Sequence, residues 1–281
     1  MRKICLALLT CTLLFAASAY AKECKKTYGD GEVFSIATGS PGELGLLEVL
    51  ADAFNAKHGS AMCWKKAGSG ASLMLLKEKD VDAIMVHAPA AEKKAVSDGW
   101  ARNRQLIGSN EFYIVGPKDD PAGIKGAKSV AEAYKKISDA KALFLSRGDN
   151  SGTHKKEMAI WKKAGVDPSG DWYVTTKDFM MATLLRADKD KAYFMTDSST
   201  WVAGKKDIEN LDVLFKGDMF IVNTYHGLCQ PEGATKGTDL GCAFIEFVGS
   251  DEGQSIIREY GKKMYGESMY NDKEYAKQYD H

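Results

Sequence analysis

Past its first two dozen residues the chain has no apolar run long enough to span a bilayer as a helix, which excludes a membrane-spanning helix from the rest of the sequence. It also lacks an excess of charge. Thirty-eight Lys and Arg residues face 38 Asp and Glu, so no surface-wide positive field marks a nucleic-acid binder, and any anion site has to be local. There is no repeat of fixed period and no low-complexity linker, so composition alone cuts no lobes. The G-x-S-x-G elbow of α/β hydrolases is missing, and so are the paired C-x-x-C ligands of most structural zinc sites.

What is present begins at the N-terminus. Arg2 and Lys3 precede an apolar stretch from Ile4 to Phe15 and the small-residue pattern ASAYA. These are the three regions of a secretory signal peptide, residues 1–21, with the expected cut after Ala21. About 260 residues remain, enough for one large domain or two medium lobes. Four cysteines follow the cut: Cys24, Cys63, Cys229 and Cys242. Export and an even count favour disulfides over zinc. Of three possible connectivities, Cys24–Cys63 with Cys229–Cys242 is preferred, the second pair bracketing the Gly-rich loop QPEGATKGTDLG.

The hydrophobic pattern alternates between strand and helix. EVFSIAT (32–38) reads as a strand, and 44–59 as a helix with Leu46, Leu47, Leu50 and Phe54 at helical spacing and Gly59 as its stop. AMCWKKA (61–67) reads as a strand, GSGAS (68–72) as a loop, LMLLKEKD (73–80) as a helix and VDAIMVHA (81–88) as a buried strand. Further strands are expected at 111–117, 141–146, 173–176, 191–197, 211–217 and 219–225, with a helix at 129–140 and two helices, broken near Gly249, in the tail. Strand–loop–helix units in series argue for an α/β fold with mainly parallel pairing. Trp100, Trp161, Trp172 and Trp201 read as packing residues.

Three loops between strand and helix share one composition: Thr38-Gly39-Ser40, Gly68-Ser69-Gly70-Ala71-Ser72, and SRGDNSGT from Ser146 to Thr153. A helix N-terminus offers unpaired N–H groups and the positive end of a dipole. Small residues let an anion approach, hydroxyls donate to it, and Arg147 adds a guanidinium fork suited to oxyanions. Each loop taken singly also reads as an ordinary cap or turn. Arg147 and Asp149 also read as a pair that stiffens the loop. Ser151 and His154 raise a hydrolase alternative, although neighbours so close at a helix start rarely attain triad geometry. His154 and Glu157 lack the companions a metal would need, and His87 reads as a satisfied loop histidine. No catalytic residue, metal or cofactor is assigned.

The stretch SRGDNSGTHKKE (146–157) resembles the S-R-G-D-x-S-G-T-H-x-x-E of periplasmic tungstate-binding proteins of ABC importers. VHAPAAEKKAVSDGWARNR (86–104), IVGPKDDPAGIKG (114–126) and AYFMTDSSTW (192–201) are similar to family stretches in matching order. The resemblance implies a type II periplasmic binding fold: two α/β lobes, a ligand cleft and two crossover segments. Lobe one would take residues 30–112 plus 216–275, and lobe two 113–215. It further implies a monomer in the periplasm that captures tungstate, then molybdate, and hands it to an ABC permease with its ATPase.

Thr38, Ser40, Ser69, Ser151 and Thr153 would donate to the anion, and Arg147 would offset its charge, with Gly39 and Asp149 in support. The family's T-T-T-S is Ala37-Thr38-Gly39-Ser40 here, two hydroxyls fewer, and its Gly-Met-rich segment is replaced by Asp178-Phe179-Met180-Met181-Ala182. Phosphate or another oxyanion is the alternative ligand. Transport and sensing both remain compatible uses. If Asp149 is held by Arg147, a protonated anion has no acceptor there and phosphate is disfavoured.

Overall fold

A computed structural model describes residues 23–280; the expected signal peptide and its cut lie outside them. Strands β1 (Lys26–Gly29) and β2 (Glu32–Thr38) open the fold. The one-turn helix α1 (Ser40–Glu43) leads into α2 (Leu46–His58), which buries Leu46, Leu47, Leu50, Ala51 and Phe54 on one face. Gly59 ends α2 in the left-handed conformation. β3 (Ser60–Lys66), α3 (Ser69–Lys77), β4 (Ala83–Val86) and α4 (Pro89–Ser97) complete the first run.

The 16-residue β5 (Arg102–Pro117) then carries the chain into α5 (Val130–Asp139), β6 (Phe144–Ser146), α6 (Gly152–Lys163), β7 (Tyr173–Thr175), α7 (Met180–Asp190), β8 (Tyr193–Asp197), α8 (Ser198–Gly204) and β9 (Leu211–Phe215). β10 (Val222–Cys229) returns, and α9 (Thr238–Gly249) and α10 (Asp251–Glu259) follow.

The strands join in the order β1-β3-β2-β4-β10-β5-β8-β6-β7, with β9 also on β5. β2 is parallel to β3 and β4, and β6 to β7 and β8. The expectation of mainly parallel pairing is nevertheless corrected, because β5 and β10 are antiparallel to every strand they touch. They run between the two halves of the sheet as an outgoing and a returning strand, so their directions oppose. Residues 102–111 of β5 pair with β10, and from Phe112 onward β5 pairs with β8 and then β9.

Apolar side chains gather separately on each half. Phe34, Phe54 and Phe244 pack edge to face around Phe54 in the first, whose neighbouring cluster under α3 includes Leu76 and Ile84. Tyr134, Phe144, Trp161 and Trp172 pack in tilted and edge-to-face contacts in the second. Each such buried ring contributes about 1.5–3 kcal/mol of transfer free energy. Trp201 packs on the second core and Trp100 on the cluster under α3.

Both preferred cysteine pairs are bonded, Cys24–Cys63 at 1.99 Å and Cys229–Cys242 at 2.07 Å. The first ties the segment before β1 to β3, and the second ties the end of β10 to α9. Three expectations shift. GSGAS is mostly helix, since Gly68 serves as N-cap and α3 starts at Ser69. β5 begins nine residues before the expected 111, in a half-exposed polar stretch with little alternation. β10 starts at Val222, after a short 3₁₀ turn, and runs on to Cys229.

Candidate functional site

A small cleft of about 50 Å³ lies where the two halves meet. Gly39, Ser40, Glu43, Lys66, Ala67, Gly68, Ser69, Met85, His87 and Tyr225 line it from one side, and Arg147, Ser151, Gly152, Thr153 and Phe179 from the other. Such a space suits a small ion and falls far below the few hundred Å³ of a typical organic-ligand pocket.

The N-terminus of α3 faces this space through Ser69. Gly68 at the N-cap supplies no side-chain cap, so the first-turn N–H groups are not claimed by one. Ser69 Oγ accepts from His87 N (3.1 Å), which leaves its hydrogen free to donate. The hydroxyls of Ser40 and Thr153 make no hydrogen bond to another of the described residues.

Opposite, the loop after β6 is shaped by internal bonds. Gly148 and Asn150 adopt left-handed backbone conformations. Ser146 Oγ accepts from Gly148 N (3.2 Å), and His154 Nδ1 accepts from Asn150 N (3.0 Å). Ser151 Oγ caps α6 by accepting from His154 N (3.3 Å), and its hydroxyl also bonds the Asp149 carboxylate. The hydrolase alternative loses its pair here, since Ser151 serves as the cap and His154 closes the loop.

Arg147 is buried, its Nε donating to Asp178 O (3.2 Å) and Nη2 to Asp149 Oδ2. Of its five N–H donors three remain for a ligand. Both Asp149 oxygens accept within the loop, Oδ2 from Arg147 and Oδ1 from Ser151 N (3.1 Å), and Asp149 is not among the residues that line the cleft. Burial opposes ionisation of Asp149, but the Ser151 bonds and the Arg147 charge outweigh it and hold the carboxyl below its usual range.

Of the residues expected at the site, Gly39, Ser40, Ser69, Arg147, Ser151 and Thr153 line the cleft together. Thr38 does not: it is fully buried behind the wall, and its hydroxyl donates to Met85 O (2.8 Å). Asp149 stands behind Arg147 rather than on the lining. Sequence reasoning missed Glu43, Lys66, Phe179 and Tyr225 as lining residues. It took His87 for a loop histidine, although its place just after a buried strand was a usable signal. Burial lowers the His87 pKa to about 4 against the pull of Glu92 and Asp197, so at neutral pH the ring carries no charge. Burial also pushes the Tyr225 phenol up, keeping it protonated and able to donate.

Glu157 lies beneath the Arg147 loop, accepting from Tyr173 Oη (2.7 Å) and Trp161 Nε1 (3.2 Å). Burial raises its pKa from 4.5 to about 7, against those hydrogen bonds and one from Ser146. Between these two values the folded state holds a proton that the unfolded state has released, so stability falls as pH rises from about 4.5 to 7. Glu157→Gln removes that dependence. Its melting temperature is expected to match wild type near pH 5 and to exceed it by roughly 5–10 °C at pH 8, from about 3 kcal/mol of linkage. Parallel melting curves for both proteins across that range would rule the idea out.

The PBP superfamily domain matches residues 22–252. The tungstate-binding protein TupA of Peptoclostridium acidaminophilum is 35% identical over 254 residues, 88% of this chain and 88% of that protein. A crystal structure of the tungstate ABC transporter from Geobacter sulfurreducens is 39% identical with a TM-score of 0.73, covering 82% of this chain and 99% of that one. The tungstate-binding protein TupA from Desulfovibrio alaskensis G20 is 34% identical, also with a TM-score of 0.73, covering 86% and 99%.

Proposed function

The chain belongs to the PBP superfamily and has its type II fold of two α/β lobes around a cleft, and from that premise we propose that it is a periplasmic solute-binding protein, not an enzyme, capturing a tetrahedral oxyanion for an ABC permease with its ATPase. The ligand is tungstate first and molybdate second, as the names of its relatives suggest. The observation that carries the reading is the polarity of the cleft. Ser40, Ser69 and Thr153 supply hydroxyls, α3 supplies backbone N–H groups and Arg147 supplies a fork, while Asp149 is turned away by Arg147 and Ser151. A fully deprotonated dianion needs donors only, and these groups supply them.

The lobes take residues 30–112 plus 216–275 and residues 113–215. Two supports are the two main apolar cores, whose buried members fall in the other lobe's range only at Phe112, Val202 and Ile221, and the switch of β5 partners at Phe112. The anion then lies between Ser40 and Ser69 of lobe one and Arg147, Ser151 and Thr153 of lobe two. Binding draws the lobes together without making or breaking a covalent bond, and the monomer presents both lobes to the permease.

A thermal-shift titration against tungstate, molybdate, sulfate and phosphate tests this. A ligand present at a hundredfold excess over its Kd is expected to raise Tm by about 5–10 °C. Shifts with tungstate and molybdate, and little with sulfate or phosphate, are the expected result. A shift with phosphate alone would keep the fold and overturn the ligand.

A further inference from the structure

Glu43 closes α1 and Lys66 closes β3, and both face the cleft. Lys66 Nζ lies 2.5 Å from Glu43 Oε1 and 3.8 Å from the centre of the Phe179 ring. Phe179 comes from the opposite lobe, and the same ring lies 5.8 Å from the Arg147 guanidinium. One aromatic ring therefore bridges the two cations of the cleft, one from each lobe. A phenyl ring attracts a cation without offering a strong acceptor, so the ammonium keeps hydrogens for another partner. Among the described residues lining the cleft, Glu43 is the only carboxylate.

We propose that Lys66 is the second cation of the oxyanion site and that the Glu43–Lys66 pair determines which protonation state of an anion the cleft accepts; this rests on the oxyanion reading above. A deprotonated dianion presents acceptors alone, and Lys66 can donate to it while remaining close to Glu43. Hydrogen phosphate carries one O–H that must find an acceptor or lose its hydration without replacement. Asp149 is occupied by Arg147, which leaves Glu43 as the charged acceptor on the lining, and Lys66 pairs with it. Without Lys66, Glu43 becomes a bare carboxylate at the cleft. It then repels either dianion, but offsets that repulsion for the protonated one by accepting its O–H.

The test measures Kd for tungstate, sulfate and phosphate by calorimetry at one pH and ionic strength, on wild type, Lys66→Met and Glu43→Gln. Lys66→Met is expected to weaken tungstate by about tenfold to a hundredfold and phosphate distinctly less, so that the tungstate-to-phosphate preference falls by at least about tenfold. Glu43→Gln removes the repulsive charge and the charged acceptor, so the preference rises a few-fold, most clearly at low salt. Circular dichroism checks that each variant folds, and Glu43→Gln decides alone if Lys66→Met does not.

Equal weakening of all three anions by Lys66→Met, or an unchanged preference in Glu43→Gln, overturns the inference while leaving the oxyanion reading intact. Wild-type preference for phosphate overturns the assigned ligand, and the direction of the change in each variant still decides the role of the pair. Binding of none of the anions by wild type overturns both.

Discussion

Arg147→Ala is expected to abolish tight oxyanion binding, by about a thousandfold or more, while leaving the fold standing. Arg147 is buried beside the cleft with two of its N–H groups committed to Asp178 O and Asp149 Oδ2. The rest are free for an anion that touches both lobes. Hydrogen bonds to a charged group are worth about 1.5–3 kcal/mol each, so two of them come to about 3–6 kcal/mol, a range that brackets the roughly 4 kcal/mol of a thousandfold loss. The substitution has a second cost. Asp149 loses its cation, and its charge then adds repulsion near the bound dianion. Asp149 still accepts from Ser151 N, and α6 keeps its Ser151 cap, so the ligand-free protein should melt within a few degrees of wild type. Arg147→Lys, which keeps a charge but not the fork, should fall between the two. Titration calorimetry with tungstate, beside ligand-free melting curves, reads all of these. An Arg147→Ala affinity within threefold of wild type would remove Arg147 from the site.

The residues that could be read in advance are those whose partners are near in sequence. β2 was legible to the residue, because EVFSIAT is a compact run of strand formers closed by Gly39. α2 was legible from its 3.6-residue spacing and from Gly59, and the Arg147 loop from its composition and its Ser151 cap. Thr38 was misplaced because the partner that takes its hydroxyl, Met85 O, is 47 residues away on β4. Tyr225 reaches the cleft only because β10 returns between β4 and β5, which no local pattern announces. Lys66 and Glu43 look like two ordinary surface charges until β3 and α1 end side by side. Phe179 looked merely like a departure from a familiar pattern, and its ring gains meaning from the cations above it. The antiparallel pairing of β5 and β10 was hidden for the same reason: pairing direction depends on where a chain goes, and hydrophobic period does not record that.

Gly152→Ala is expected to separate closure from folding. Gly152 is the first residue of α6 and has ordinary helical backbone geometry, so alanine there should favour the helix by up to about 1 kcal/mol. The obstacle lies across the cleft. A Cβ on Gly152 would stand 2.5 Å from His87 Cε1 and 3.2 Å from both ring nitrogens. His87 has little freedom to yield, because its ring is buried against Tyr225 at 4.9 Å and its backbone N–H is held by Ser69 Oγ. The lobes must then stop short of full closure or displace the ring. Overpacking of this kind costs about 1–3 kcal/mol, which lowers tungstate affinity by roughly tenfold to a hundredfold. Ligand-free melting temperature should be unchanged or slightly higher. His87→Ala in the same chain makes room for the methyl group and should recover part of the loss. Gly148→Ala supplies the contrast: there the backbone is left-handed and the Cβ would meet Thr175 of the same lobe at 2.8 Å, so both folding stability and binding should suffer. Calorimetry and melting curves on the four proteins separate the cases. Wild-type affinity in Gly152→Ala would mean that the cleft holds its ligand without the approach of α6 to His87.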